Sequence, residues 1–231
     1  CIQCGQEAGK YVTDNFLEDP QDLEYEKTFH PFILISKKRY TGDKYEEDPI
    51  KYKRTSMGIV LKRRDNAPIV KYVFGNVIEK IMIDRNFEMA VQWLKDTLQE
   101  IRDGKFHYSM FIISKSLRGY YKNPGSIAHK VLADRMGERD PGTKPKANDR
   151  IQYAYIEVDD SPIVVGKYKN GKVKTKKRTI LQGDRIEHID YILKNELPID
   201  YEFYITNQIM NPVKQVLDLE MDESETSKIF V

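Results

Sequence analysis

The sequence predicts an α+β fold: a partial β-sheet with a flanking helix, followed by a mostly helical region with small β elements. Three observations point there. Phe87, Ala90, Val91, Leu94, Leu98 and Ile101 recur at helical spacing, an apolar stripe for packing on a core. Short runs rich in β-branched and aromatic residues, Tyr25 to Ile35 and Ile151 to Val158, read as strands. Asn170-Gly171, between Ile163–Tyr168 and Val173–Ile180, carries the chemistry of a type I′ hairpin turn.

In chain order, Gln6 to Phe16 reads as a helix with Ala8, Tyr11, Val12 and Phe16 on one face, and Pro20 ends that region. Pro31 marks the Tyr25–Ile35 strand as an edge or a bulge. Met57 to Leu61 and Ile69 to Val73 are short β-type runs around Lys62-Arg63-Arg64, and Asn76 to Ile83 reads as a helix. Asn86 is placed to cap a helix that runs to Arg102, with Gly104 as its stop. Ser109 to Ile113 reads as a strand, Ser126 to Met136 as a helix with Gly137 behind it, and Ile189 to Leu193 as a short helix. Asp200 to Met210 and Val213 to Leu219 are helical, with Pro212 at a new start. The composition breaks near Lys71 to Gly75. That divides residues 1–72, mixed in character, from residues 73–231, mostly helical.

A chain of 231 residues can bury a core of one or two domains. A 40% hydrophobic and 32% charged composition fits a soluble protein. No apolar run approaches the length of a bilayer, and no signal-peptide pattern opens the chain. The first residue is Cys rather than Met, so the chain is expected to be an excised or partial one. Net charge is +2, which by itself argues for no nucleic-acid partner; the distribution says more. Eleven Lys or Arg stand against five Asp or Glu between Lys37 and Lys71. Seven Lys or Arg and no acid lie between Lys167 and Arg178, and Asp218 to Glu225 is acidic. Cys1 and Cys4 form a C-x-x-C pair, but a tetrahedral zinc needs four ligands, and His30, His107, His129 and His188 lack ligand spacing.

Lys37-Lys38-Arg39-Tyr40-Thr41-Gly42 follows the apolar run Pro31 to Ile35. Cations neutralise phosphates, and a Tyr offers a flat ring and a hydroxyl that can bond in a groove. Gly lets the chain turn sharply beside a ligand. A solvated hairpin turn has the same composition. Neighbouring motifs decide between them: Leu23-Glu24-Tyr25-Glu26-Lys27 upstream, then Lys53-Arg54-Thr55-Ser56-Met57-Gly58 and Lys62-Arg63-Arg64-Asp65-Asn66 downstream. Further on come Arg139-Asp140-Pro141-Gly142, Asp149-Arg150-Ile151-Gln152-Tyr153, and Leu197-Pro198-Ile199-Asp200 with Tyr204 and Gln208.

This ordered set resembles the C-terminal half of the family B DNA polymerases, closest to the delta-type enzymes of eukaryotes and large DNA viruses. The family's pattern is an LEFEK-like strand, a KKRY-G loop, a KG…RRDN segment, a GDRVPY segment and an LPID…YY…Q segment. The resemblance covers nearly all of residues 5 to 218. It implies that residues 1–72 complete the palm and residues 73–231 form the thumb. It also implies that Lys37, Lys38, Arg39, Tyr40 and Gly42 meet the primer end. Lys38 and Tyr40 would face the minor groove, whose acceptors lie at similar places for every base pair. They would therefore check pairing shape rather than sequence. Lys53, Arg54, Gly58, Lys62, Arg63 and Arg64 would position the backbone, with Asp65 holding one of the two arginines; a palm–thumb staple is the other reading of that pair. Lys144, Lys146 and Arg150 would grip phosphates behind the active site. Alternate lysines 172, 174 and 176 share one strand face, as a phosphate track, a solvated hairpin or a nuclear-import-like cluster.

The intact parent would be a DNA-directed DNA polymerase that adds deoxynucleotides to a primer 3′ end by two-metal phosphoryl transfer, with Mg2+ as cofactor. Its partners would be primer-template DNA, dNTP and a sliding clamp, with no membrane. Its place would be the nucleus or the viral replication site of an infected cell. The sequence holds no D-x-S-L-Y-P-S-like and no Y-G-D-T-D-like segment, so the metal ligands are expected outside it and the chain alone is expected to be inactive. Glu24 and Glu26 alternate on the expected strand, where they either support a metal site from behind its ligands or pair with Lys27 or the Lys37–Arg39 loop. The chain departs from the family at Asn148, where a Gly precedes Asp-Arg; Asn tolerates positive φ, so the turn can survive. Two rival readings are a stand-alone thumb-like nucleic-acid-binding module and an inactive polymerase relative with an assembly role.

Overall fold

A computed structural model describes residues 1–63, 65–167, 173–176 and 179–230. The expected turn at Asn170-Gly171, with Lys172 and Arg178, lies outside the described residues, as does Arg64. The architecture is α+β. Helix α1 (Ile2–Phe16) precedes an antiparallel sheet of β1 (Thr28–Ser36), β2 (Arg39–Tyr45) and β3 (Tyr52–Met57), in that order. Alternation along β1 turns Ile33 and Ile35 toward the core and leaves Phe32 and Leu34 exposed. Pro31 falls in a register shift between Phe29 and Phe32, as a residue with no N–H to donate requires. Contrary to the aromatic stripe expected for α1, Tyr11 and Phe16 are exposed; contact runs through its glycines. A Cβ on Gly5 would meet the Tyr25 ring at 2.6 Å, and one on Gly9 would meet Leu23 O at 2.7 Å.

The Ile69–Val73 run is a helix and not a strand. Helix α2 (Pro68–Glu79) starts on Pro68 and buries Ile69, Val70, Val73, Phe74, Val77 and Ile78 on one face. The β-branched residues suggested a strand, but their spacing over the longer window is helical, and packing decides. The expected boundary after residue 72 falls inside this continuous helix. A π-helical turn (Lys80–Asp84) ends at Arg85, φ 49°, and leads to α3 (Phe87–Arg102). Asn86 caps α3 by accepting from Met89 N–H at 2.9 Å, and Gly104 follows its end at φ 68°. Ala90, Leu94, Leu98 and Ile101 are wholly buried, each larger side chain contributing about 1.5–3 kcal/mol.

After a 3-10 turn (Tyr108–Phe111), β4 (Ile113–Ser116) begins later than expected. Helix α4 (Ala128–Arg139) runs through Gly137 rather than stopping there, and the stem of Lys144 lies where a Cβ on Gly137 would stand, at 2.7 Å. β5 (Arg150–Tyr155) pairs with β4 and β8 (Ile186–His188), and β6 (Ile163–Lys167) pairs with β7 (Val173–Lys176), all antiparallel. The chain ends in α5 (Ile189–Asn195), α6 (Tyr201–Phe203), a π-helical turn (Tyr204–Ile209), α7 (Met210–Leu217) and α8 (Glu223–Lys228). Pro212 lies inside α7 and starts no new helix. The preceding π turn, where Met210 N–H reaches back to Ile205 O, is where the helix accommodates a residue without an N–H. Buried Tyr204 ties three elements together: its hydroxyl donates to Phe111 O and accepts from Tyr155 N–H at 3.1 Å. One core runs from Ile59 to Phe230.

Candidate nucleic-acid interface

The β1–β2 ladder closes at Ser36 opposite Arg39, so Lys37 and Lys38 form the two-residue tip. Both are exposed, and neither ammonium has a carboxylate partner among the described residues. Lys38 sits at φ 62°. A Cβ on Gly58, itself at φ 62°, would stand 2.3 Å from Lys38 O, so the close approach needs glycine. Arg39 donates to Gln215 Oε1 on α7, fixing the hairpin to the helical region. Tyr40 packs edge-on to Phe29, with ring centroids 5.8 Å apart, and beside Phe32 at 5.6 Å. Its hydroxyl has no hydrogen-bond partner among the described residues. Gly42 lies under those rings: a Cβ there would meet Phe32 at 2.8 Å and Pro31 O at 2.9 Å. Thr41 is buried, sharing a 2.8 Å hydroxyl bond with Ser56.

Arg54 is tied to an acid. Its guanidinium grips both carboxylate oxygens of Asp43, whose residue is 6% exposed, and that bond raises the Arg54 pKa. Lys53 is exposed and lines an open cleft of about 650 Å³ with Glu46, Glu47 and Asp48. Arg63 holds Asp65 through two bonds of 3.2 and 3.1 Å, which lowers the Asp65 pKa. Glu24 and Glu26 precede β1 in non-strand backbone, so the expected shared strand face is not formed; Glu26 pairs with Lys27. Among the described residues no three His, Cys, Asp or Glu assemble a metal site, and Cys1 and Cys4 are exposed thiols.

In the second half, Asn148 adopts φ 74°, the conformation its side chain tolerates. Asp149 accepts from Lys146 N–H at 2.7 Å, and Lys144 lies 3.6 Å from Asp134. Both lysines are exposed. Arg150 is held by Ser114 Oγ at 3.0 Å, Ser116 Oγ at 3.2 Å and Ser114 O at 2.8 Å. The structure brings Arg150 and Asp65, the partner of Arg63, to one cleft; Lys53 lines the other cleft, and Lys37 and Lys38 line neither. The Arg150 cleft also holds Lys115, Arg118, Tyr121 and His129, spread through the stretch from β4 to the start of α4 at no motif spacing, and only the fold sets them beside Arg150 and Asp65.

No helix among the described residues is long and apolar enough to cross a membrane. A family model described as DNA polymerase family B matches residues 1–219. The chain is 48% identical over 225 residues to a DNA polymerase of Acanthamoeba polyphaga mimivirus, covering 97% of this chain and 12% of that protein. It is 51% identical over 205 residues to a DNA polymerase of Pyramimonas orientalis virus, covering 89% and 16%. It is 33% identical over 230 residues to the DNA polymerase delta catalytic subunit of Schizosaccharomyces pombe, covering 98% and 19%. The chain thus spans between an eighth and a fifth of these relatives' lengths.

Proposed function

Because the chain belongs to DNA polymerase family B, we propose that it is the part of a template-directed DNA polymerase that grips primer-template duplex and checks the primer end. On this reading residues 1–72 complete the palm, residues 73–231 form the thumb, and α2 runs across the boundary between them. The whole protein would join a deoxynucleotide from dNTP to a primer 3′ end, at a viral replication site or in the nucleus, with a sliding clamp as a further partner.

The observation that carries the reading is the Lys37–Lys38 tip. Two unpaired ammonium groups project from a turn braced by Gly58 and Gln215, with the Tyr40 hydroxyl free behind them. A braced tip loses little conformational freedom on meeting a ligand. Lys38 and the Tyr40 hydroxyl can donate to minor-groove acceptors, while Lys37 and Arg39 neutralise phosphates. Exposed Lys53, Lys146 and the serine-braced Arg150, with Arg63 and Lys144 where a phosphate can compete with their partners Asp65 and Asp134, supply sequence-independent attraction along the duplex. The family's divalent-metal chemistry would stabilise charge on the transferring phosphoryl group. The described residues of this chain, with Glu24 exposed and Glu26 engaged by Lys27, do not fit a two-metal ligand set, and no metal step is assigned to them.

The test is binding of the chain to labelled DNA with a recessed 3′ junction and to blunt duplex, beside a Lys38→Ala/Tyr40→Ala double variant. The wild type is expected to prefer the junction and the variant to bind both alike. Equal preference in the two proteins would remove the primer-end role from this hairpin.

A further inference from the structure

The cleft beside Arg150, of about 580 Å³, gathers three cations, Lys115, Arg118 and Arg150, against one acid, Asp65. Lys115 comes from β4, Arg118 from the loop after it, Arg150 from β5 and His129 from the first turn of α4. Among the described residues no carboxylate lies within ion-pair distance of Lys115, Arg118 or Arg150. The one acid in the wall, Asp65, is bonded by Arg63 first and is influenced by Lys115 at longer range, beyond ion-pair distance. The nearest acid along α4, Asp134, is engaged by Lys130 and Lys144. Helix α4 begins at this wall without a side-chain cap: its N-cap residue, Ile127, lines the cleft, adding the partial positive charge of a helix start. A concave surface with three cations, of which Arg150 is held in place by Ser114 and Ser116, and one acid already bonded by Arg63 suits an anion.

His129 makes the site more than a patch. Arg118 N–H donates to the Tyr121 hydroxyl at 2.8 Å, and that oxygen lies 3.1 Å from His129 Nε2. In the neutral tautomer that carries its hydrogen on Nδ1, the Tyr121 hydroxyl donates to Nε2. Once Nε2 is protonated it donates to the Tyr121 oxygen, which already accepts from Arg118, so the hydroxyl hydrogen must turn to another acceptor. A phosphate oxygen in the cleft is such an acceptor. Proton uptake thus adds a positive charge and a new O–H donor together. Without an anion the imidazole pKa is lowered, by burial first and then by Lys115 and Arg118, which disfavours the charged form.

We propose that this cleft is a phosphate site that takes a backbone phosphate of duplex DNA, and that His129 makes its occupancy depend on a proton. The inference rests on the DNA-binding reading and adds Lys115, Arg118, Tyr121 and His129 to it. The sign follows from linkage. An anion favours the charged imidazole, so binding raises the His129 pKa, and affinity is greatest at acid pH and falls as pH rises through the bound-state value.

The experiment uses the full chain with isotope-labelled histidine. His129→Gln identifies which of the four histidine resonances is His129. Its titration is followed alone, with inorganic phosphate and with duplex DNA, and duplex affinity is measured from pH 6 to 8 at fixed ionic strength. Duplex and phosphate are each expected to raise the His129 midpoint, a rise of one unit giving about a tenfold affinity change. His129→Gln should flatten the affinity profile, and Tyr121→Phe should weaken phosphate binding more at pH 6 than at pH 8. If duplex binds with the same pH profile in wild type and His129→Gln and the midpoint does not move, this site is overturned while the DNA reading stands. If duplex does not bind but phosphate raises the midpoint, the phosphate site stands and the DNA reading falls. If neither ligand moves the midpoint and no duplex binds, both fall.

Discussion

Lys38 holds a left-handed backbone, φ 62°, that costs a long L side chain about 1 kcal/mol or more. The fold meets that cost with a second residue. Gly58, also at φ 62°, lies so close that a Cβ would stand 2.3 Å from Lys38 O. Gly58→Ala would add its own left-handed penalty and push the tip backbone away. It is expected to lower the stability of the chain by about 2 kcal/mol and to weaken junction preference more than blunt-duplex affinity. Chemical denaturation beside the junction assay checks this, and an unchanged denaturation midpoint would mean that the tip is held by something other than this contact. The cationic tip and its aromatic neighbour were legible from residue types alone. Its bracing was not, because Gly58 and Gln215 reach it only through the fold. For the same reason nothing local reveals that Asp43 faces Arg54 across β2 and β3.

Among the elements, α4 shows how a buried charge pins a helix. Glu187 on β8 is 3% exposed and accepts from Arg139 at 2.8 Å, with Arg135 Nε at 3.4 Å. Arg139 also lies 3.7 Å over the Tyr191 ring, and Arg135 donates to Gly183 O and Ile186 O. Two turns of α4 are thereby bolted to β8 and α5. Removing one member of a buried pair costs about 3–5 kcal/mol, and both arginine side chains here are more than a quarter exposed. Glu187→Gln is therefore expected to cost about 2 kcal/mol, and retention of wild-type stability in a denaturant melt would count against the pinning role. The helix beside this cluster was legible only in part. Its apolar positions and the caps of α3 follow from local chemistry, whereas Gly137 reads as a stop until Lys144 is seen packed over it. Likewise α2 hid behind β-branched residues, because its helical face emerges only across the whole stretch from Ile69 to Ile78.

At the scale of the whole molecule, a net charge of +2 conceals a segregated surface, with unpaired lysines and arginines at the hairpin tip and beside β5 and an acidic stretch from Asp218 to Glu225. The segregation was legible as runs of charge along the chain. The gathering of Lys115, Arg118, His129 and Arg150 was not, since β4, α4 and β5 meet only after the core forms. If the exposed cations neutralise phosphates, each contact releases counterions, and the logarithm of affinity falls with the logarithm of salt by about 0.9 per contact. Replacing exposed Lys144 and Lys146 with Gln is then expected to reduce that slope by roughly 1.8 for any duplex sequence. Junction preference, which belongs to the hairpin tip, should remain. Lys95→Gln, on the exposed face of α3, serves as the control and should leave the slope unchanged. Affinity titrations between low and moderate salt measure all three proteins. A slope that Lys144→Gln/Lys146→Gln leaves at the wild-type value would return both lysines to solvent and confine the duplex contact to the tip and the Arg150 cleft.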